Sequence, residues 1–154
     1  MRISRTTTYA LQATLHLART APGVPVPCRK LAQANKMPER FLLQILRSMV
    51  NRGLLQSARG VDGGYFLARM PQQISLCDIV EAFDNSLDAV PPIFDGLRPE
   101  IKERLWNTLQ KASRLARQEL QKVTIADLLT GRESNLPFAV PVPSPRSSTN
   151  SVRR

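Results

Sequence analysis

The fold of this chain is decided by residues 37–69, which read MPERFLLQILRSMVNRGLLQSARGVDGGYFLAR. The first half of this stretch predicts a helix, because Pro38 suits a first helical turn and Gly53 suits the position just past a helix end. Its apolar residues recur at intervals of three and four, which is typical of a helix with one buried face. They are Phe41, Leu42, Ile45, Leu46, Met49 and Val50.

The opposite face of this helix is mostly polar and basic. It carries Arg40, Leu43, Gln44, Arg47, Ser48 and Asn51. The second half of the stretch predicts two short strands, Leu54–Ser57 and Tyr65–Ala68, around a glycine-rich tip that contains Arg59. A helix followed by a basic, glycine-tipped hairpin is the closing half of a winged helix-turn-helix, in which long polar side chains reach base edges and phosphates.

The residues before this stretch complete the predicted domain. Thr6–Ala18 has the apolar spacing of a first helix, and the prolines of residues 21–27 end it. Pro27 suits the start of a short second helix, and Asn35 with Lys36 forms the turn into the next helix. Two short helices joined by a tight turn are the helix-turn-helix arrangement.

Two capping boxes mark later helix starts. In each box, a Ser or Thr side chain and an Asp three residues later bond each other's backbone N–H. The boxes are Ser75–Asp78 and Thr124–Asp127. They predict a helix over Leu76–Phe83 and a short last helix that stops before Gly131.

Between the two boxes, Pro99 is expected to open a long helix. Its apolar residues keep a spacing of three and four over about 24 residues, or roughly 36 Å of helix. A seam of this length exceeds what a small winged helix can bury, so it predicts a protein partner. The seam residues are Ile101, Leu105, Leu109, Ala112, Ala116, Leu120 and Val123.

The predicted fold class is therefore mainly α with a small β-hairpin wing, and the chain divides into four parts. Residues 1–83 form the winged helix-turn-helix DNA-binding domain, and residues 84–98 form an irregular linker that contains adjacent prolines. Residues 99–133 form the dimerisation helix and the short C-terminal helix. Residues 134–154 are rich in Pro and Ser without a period, which predicts a disordered tail.

The formal net charge of +10 is concentrated in the predicted DNA-binding domain. Residues 1–70 hold eleven Lys or Arg against two acids, whereas residues 71–133 hold eight against ten. This distribution predicts double-stranded DNA as the partner. No apolar run approaches the roughly 20 residues of a membrane helix, and the first residues contain no apolar signal region. A cytoplasmic protein without a membrane partner is expected.

Two cysteines, Cys28 and Cys77, are too few for a disulfide scaffold or a multi-cysteine metal site. We expect inert thiols, with Cys77 as a small hydrophobe on the capped helix. Arg29 and Lys30 beside Cys28 would lower its pKa, which leaves a thiol-based redox sensor as an alternative. A winged helix used as a protein-interaction module is a further alternative. The sequence contains no Ser/His/Asp or Cys/His set and no phosphate loop, which argues against an enzyme.

The motifs of this chain resemble the bacterial Rrf-type regulator family, which includes the IscR, NsrR and CymR repressors. The resemblance covers about residues 1–130, with the motifs in order and at family-like spacing. They are Met1–Arg5, Tyr9-Ala10-Leu11, Pro25-Val26-Pro27, Phe41–Leu46, Arg52-Gly53-Leu54, Arg59-Gly60 with Gly63-Gly64-Tyr65, Ile74-Ser75-Leu76, Leu105-Trp106 and Val123–Leu128. The resemblance implies a homodimeric transcription regulator, a repressor in this interpretation, with two winged helices, crossed long helices and a palindromic operator.

The resemblance also implies which residues meet DNA. By motif position, Pro38, Arg40 and Gln44 match recognition-helix residues, and Arg59-Gly60 matches a wing arginine that enters the minor groove. The residues themselves add that Leu43 offers an apolar contact to a thymine methyl. The full set of expected DNA-binding residues is Arg2, Ser4, Arg5, Lys36, Pro38, Arg40, Leu43, Gln44, Arg47, Arg59 and Gly60.

One departure from the family pattern concerns iron. Cluster-binding members carry three cysteines between the capped helix and the long helix, and the matching span here, Asp84–Arg104, contains none. The acidic residue that often precedes the tyrosine of the first helix, and can ligate the cluster, is Thr8 in this chain. Without thiolates to hold iron, we expect no iron–sulfur cluster, no metal and no other cofactor. The effector and the operator sequence stay open.

Overall fold

The computed structural model describes residues 3–84, 87 and 96–131 of the chain. This part contains six helices and one two-stranded hairpin. The helices are α1 (Arg5–Ala18), α2 (Cys28–Ala34), α3 (Glu39–Asn51), α4 (Leu76–Phe83), α5 (Pro99–Lys122) and α6 (Ile125–Thr130). The strands are β1 (Leu55–Ala58) and β2 (Gly64–Leu67), and a 3-10 turn covers Pro71–Gln73. No helix in these ranges is long and apolar enough to cross a membrane.

The main core lies where α1, α2, α3 and α4 meet. The predicted apolar face of α3 supplies its centre: Leu42, Leu46 and Met49 are fully buried, and Phe41 packs against them at the edge. Burying each of these side chains contributes about 1.5–3 kcal/mol of hydrophobic free energy. Because this face of α3 is buried in the core, the opposite, polar face points toward solvent.

The hairpin is the predicted wing, with β1 and β2 antiparallel in the register Leu55↔Leu67 to Ala58↔Gly64. Its strands are shifted by one residue from the predicted bounds. The N–H of Leu54 bonds the carbonyl of Met49 at 3.0 Å, so Leu54 still belongs to the turn that ends α3. In that turn Gly53 adopts a φ of +69°, the left-handed conformation that the sequence predicts for it.

A segment before α2 braces the wing. Val26 and Tyr65 exchange two backbone hydrogen bonds of 2.9 Å, which adds one bridge to the hairpin. A Cβ at Gly64 would lie 2.4 Å from the carbonyl carbon of Val26, so only glycine allows this approach. The wing is consequently attached to the helical core and not only to the end of α3.

Both predicted capping boxes are present, at Ser75–Asp78 and at Thr124–Asp127. The helix over Leu76–Phe83 has the predicted bounds, and the last helix ends at Gly131 in the left-handed conformation. The two boxes lie side by side, joined by a bridge between Ser75 and Thr124. Ile125 is fully buried in the main core, and α6 packs on α1. The last helix thus joins the same core as the DNA-binding elements.

The long helix α5 contacts its own chain along its second half. Cys77, Val80 and Leu87 form a second buried cluster, against which Ala116 and Leu120 pack. These two predicted seam residues thus also pack within their own chain, and the role of the seam in binding a partner stays a prediction. Helical spacing identifies an apolar face but not which surface covers it. In the first half, Ile101 and Leu109 are 41% and 38% exposed.

Parts of the predicted organisation lie outside the described residues. These parts are residues 134–154, which were predicted as a tail, and most of the 84–98 linker. Pro99 opens α5 as predicted. Pro27 and Pro38 were expected in the first turns of α2 and α3. Each is instead the capping residue, one position before its helix begins.

Candidate nucleic-acid interface

The exposed face of α3 presents a row of long polar side chains. Arg40, Gln44 and Arg47 are exposed, and Leu43 is half-buried between them. Their spacing of three and four residues places them on one side of the helix, so they face one target together. Pro38 is exposed and directly precedes α3, at the helix end where the first backbone N–H groups have no partner within the helix. An arginine–glutamine row of this kind matches the donors and acceptors of a DNA major groove.

The turn before α3 holds Lys36 in a strained conformation. Its φ of +52° lies in the left-handed region, where it is the only non-glycine residue in the described ranges. The turn is pinned because the N–H of Met37 bonds the carbonyl of Ala32 at 2.9 Å, and Met37 is buried. A left-handed backbone costs a residue with a Cβ roughly 1–2 kcal/mol. Lys36 nevertheless occupies this position, where it is exposed shortly before the polar row of Arg40, Gln44 and Arg47.

The substitution Lys36→Asn should separate stability from DNA binding. Asparagine accepts the left-handed conformation more readily, so we expect the free energy of unfolding in urea to rise by about 0.5–1 kcal/mol. Loss of the ammonium should weaken DNA binding and lower the slope of log K against log salt by about one. Lys36→Arg is the matched control, since it keeps both the charge and the strain. An Asn variant that binds as tightly as wild type would remove Lys36 from the interface.

The tip of the wing exposes Arg59. Gly60 follows it with a φ of +112°, a conformation that favours glycine. A Cβ at Gly63 would lie 2.5 Å from the carbonyl oxygen of Ala58, so the tip is as narrow as a backbone allows. Val61 at the apex is fully exposed. A slim, basic tip of this shape fits the narrow minor groove of A·T-rich DNA.

An open groove separates α3 from the wing and joins their basic residues. Arg47 and Asn51 line its helical wall, and Ser57, Arg59 and Tyr65 line the wall formed by the hairpin. Within the described part of the chain, neither guanidinium group forms an ion pair or a hydrogen bond. The two cations lie exposed beside one groove, which favours an anionic partner.

Helix α1, which carries the expected DNA-binding residues Ser4 and Arg5 at its N-terminus, packs against α3. Tyr9 of α1 contacts Phe41 of α3 edge to face, with ring centroids 5.8 Å apart. Arg5 is exposed and lies one helical turn before Tyr9, the residue that contacts α3. Ser4 caps α1, since its hydroxyl accepts the N–H of Thr7 at 3.1 Å. This bond gives Ser4 a structural role besides the predicted one. Arg2 lies outside the described residues.

Comparison with known proteins identifies the family. Residues 3–131 match the Rrf2 family, described as iron-dependent transcriptional regulators. The chain belongs to the Rrf2 family. CymR of Bacillus subtilis is 30% identical over 128 residues, which cover 83% of this chain and 89% of CymR. Rv1287 of Mycobacterium tuberculosis is 33% identical over 137 residues, which cover 85% of this chain and 83% of Rv1287.

Solved structures of Rrf2 relatives superimpose on the chain. The structure of CymR, the global cysteine regulator of B. subtilis, has a TM-score of 0.69 at 26% identity and covers 85% of this chain and 98% of that chain. T. potens IscR has a TM-score of 0.64 at 29% identity, with coverage of 86% and 89%. The predicted family, the winged-helix fold class and DNA-binding transcription regulation are confirmed.

The described residues of this Rrf2 chain do not fit an iron site. They contain no group of three or more His, Cys, Asp or Glu side chains that could hold a metal ion. Burial and the neighbouring Glu81 carboxylate raise the pKa of Cys77 to about 11, so its thiol is protonated at neutral pH. Thiolates are the ligands on which iron–sulfur clusters depend. The family description and the described residues therefore disagree.

The pKa of Cys28 agrees with the expected inert thiol and not with the redox-sensor alternative. Burial and the carboxylate of Glu39 raise its pKa above the usual value, instead of lowering it. Arg29 and Lys30, which were expected to lower the pKa, are both exposed, where water screens their charges. Cys77 is buried as predicted. The raised pKa values of both thiols argue against thiolate activation, on which the redox-sensor alternative depends.

Proposed function

We propose that this Rrf2 regulator is a homodimeric repressor that reads a palindromic operator. Each copy places α3 in a major groove and the wing on the adjacent minor groove. The proposal rests on the groove between α3 and the wing, which Arg47 lines on the helix and Arg59 on the wing. Neither guanidinium forms an ion pair with another described residue. The major groove admits an α-helix, and phosphates on both sides attract the arginines.

The roles in this proposal follow the chemistry of each side chain. Gln44 reads base edges, because an amide both donates and accepts hydrogen bonds, and Arg40 favours guanine for its paired acceptors. Leu43 contacts a thymine methyl. Arg5 and Lys36 bind phosphates, which fixes the register without reading sequence. The relatives that match the chain are regulators of transcription, so we propose a regulatory and not an enzymatic role.

The second copy docks on the first half of α5. Ile101 and Leu109 are large apolar side chains exposed on the same face, with Leu105 half-buried between them. Apolar side chains that stay exposed along a helix favour a protein partner. A two-fold axis through this face would pair the two helices with each other and repeat the recognition surface. An operator with inverted half-sites follows from that symmetry.

Arg59→Ala tests the wing's role. Loss of the guanidinium should weaken binding by about 1–3 kcal/mol on an operator with an A·T-rich flank, where the minor groove is narrow and strongly negative. The loss should be smaller on the same site with a G·C-rich flank. Fluorescence anisotropy with both duplexes measures the difference. Arg69→Ala, which removes an arginine that is bound to Gln73 and Asp78, is the control. Equal losses of affinity on both duplexes would mean that Arg59 contacts only the DNA backbone.

A second test concerns iron. Protein purified without oxygen should be colourless and should carry no stoichiometric iron, because the chain lacks the cysteines that hold a cluster in related regulators. It should bind the operator equally well before and after treatment with an iron chelator. Visible charge-transfer absorption together with bound iron and sulfide would show that other ligands replace the missing cysteines.

A further inference from the structure

Helix α1 begins differently from α4 and α6. In the two later helices, the carboxylate of the capping box comes from the helix itself: Asp78 accepts the N–H of Ser75 at 2.8 Å, and Asp127 accepts that of Thr124 at 2.9 Å. Helix α1 has a serine cap but no acidic residue in its first turn. In α1 the position of that carboxylate is taken by a residue from elsewhere in the chain.

Asp84 supplies this carboxylate from 80 residues away. Its Oδ2 atom accepts the backbone N–H of Ser4 at 2.9 Å and the hydroxyl of Thr7 at 2.7 Å. Burial by itself would raise the pKa of Asp84, but the hydrogen bonds from Ser4 and Thr7 bring the pKa below its usual value. Asp84 is thus an anion at neutral pH, where it also complements the positive end of the α1 dipole.

The Asp84 contact fixes the N-terminus of α1, a helix that packs against α3. Arg5 follows Ser4 directly, and one turn later Tyr9 contacts Phe41 in the first turn of α3. Asp84 itself directly follows the end of α4. Helix α4 also reaches the far end of α3, because Arg52 donates to the backbone carbonyl of Glu81 at 3.3 Å.

We propose that Asp84 is a positioning residue for DNA binding, which holds the N-terminus of α1 so that Arg5 meets a phosphate beside the half-site read by α3. This role rests on the proposed function. Asp84 is also the first residue of the connection from α4 to α5.

The substitution Asp84→Ala tests the proposal by the sign of its effect. A negative charge that only repels DNA would, once removed, leave a protein that binds DNA more tightly. A positioning role predicts the reverse: operator binding weakens by up to about fivefold, the loss expected when one exposed ion pair with a phosphate is broken. The slope of log K against log salt should also fall by about one, because Arg5 leaves its phosphate. Fluorescence anisotropy across a salt series gives both quantities.

A double-mutant cycle with Arg5→Ala makes the test specific. In the Arg5→Ala background, Asp84→Ala should cause no further loss of DNA affinity, since the residue that it positions is absent. Asp127→Ala is the matched control: it removes the capping carboxylate of α6, and it should lower stability while leaving the salt slope unchanged. If Asp84→Ala does not fold, Asp84→Asn keeps the size of the side chain, and a smaller loss with the same non-additivity is expected.

The outcomes separate this role from the proposed function. Wild-type protein that binds no DNA in a sequence-specific manner would overturn both. Wild-type protein that binds its operator while Asp84→Ala keeps its affinity and slope, or gains affinity, would overturn only the role of Asp84. An additive cycle, or an Arg5→Ala variant that binds like wild type, would do the same.

Discussion

The double substitution Ile101→Glu/Leu109→Glu is expected to leave monomers and to weaken operator binding about a hundredfold or more. Both side chains are exposed on the first half of α5, so the glutamates do not disturb the main core. In a dimer they would place four carboxylates in an apolar interface, where unpaired charges are strongly unfavourable. A monomer holds only one half-site at a time and loses the gain from two linked contacts.

The control for this prediction adds the same charge to the opposite side of the helix. Gln110→Glu/Gln118→Glu changes two exposed residues away from the Ile101–Leu109 face. Sedimentation equilibrium should show a dimer for this control and for wild type, and monomers for the test variant. Ala116 is unsuited to the test, because it packs against α4 of its own chain and a charge there would destabilise the fold. Wild-type monomers at micromolar concentration would contradict the account.

Gln44→Ala is expected to give the largest specific loss among single substitutions on α3. The amide makes two hydrogen bonds to one base edge, so its loss should cost about 1–3 kcal/mol on the operator. Random DNA, which offers no matching edge, should bind almost as tightly as before. Competition binding on both DNAs measures the difference.

Gln118→Ala, an exposed glutamine on α5, serves as the control for Gln44→Ala and should change neither value. Equal losses on operator and random DNA for Gln44→Ala would mean that this residue only holds the backbone. The same result would remove the assignment of base reading to this face of α3.

The sequence predicted those features that local chemistry determines. The apolar spacing of α3 predicted its buried face, and the Ser75–Asp78 and Thr124–Asp127 boxes predicted two helix starts to the residue. In each case the residues that cause the structure are within a few positions of one another. The recognition row of α3 could be predicted for the same reason, because its exposure follows from the buried face opposite.

Features that depend on distant residues could not be predicted in this way. No local pattern shows that Asp84 caps α1, because its partners lie about 80 residues away. Ala116 has the spacing of a partner-facing seam, yet α4 of the same chain covers it. The direction of the Cys28 pKa shift also depends on the tertiary structure, because burial and Glu39 raise this pKa despite the two exposed cations beside it in sequence.

Selection of bound fragments from random DNA tests the central claim most directly. We expect wild-type protein to enrich an inverted repeat whose half-sites lie one helical turn, or a multiple of about ten base pairs, apart. Each half-site should carry an A·T-rich flank where the wing lies. With Gln44→Ala, the half-site should lose its preference at one base position while the flank is still enriched. Enrichment of no sequence, or of an unrepeated site bound by single chains, would contradict the account.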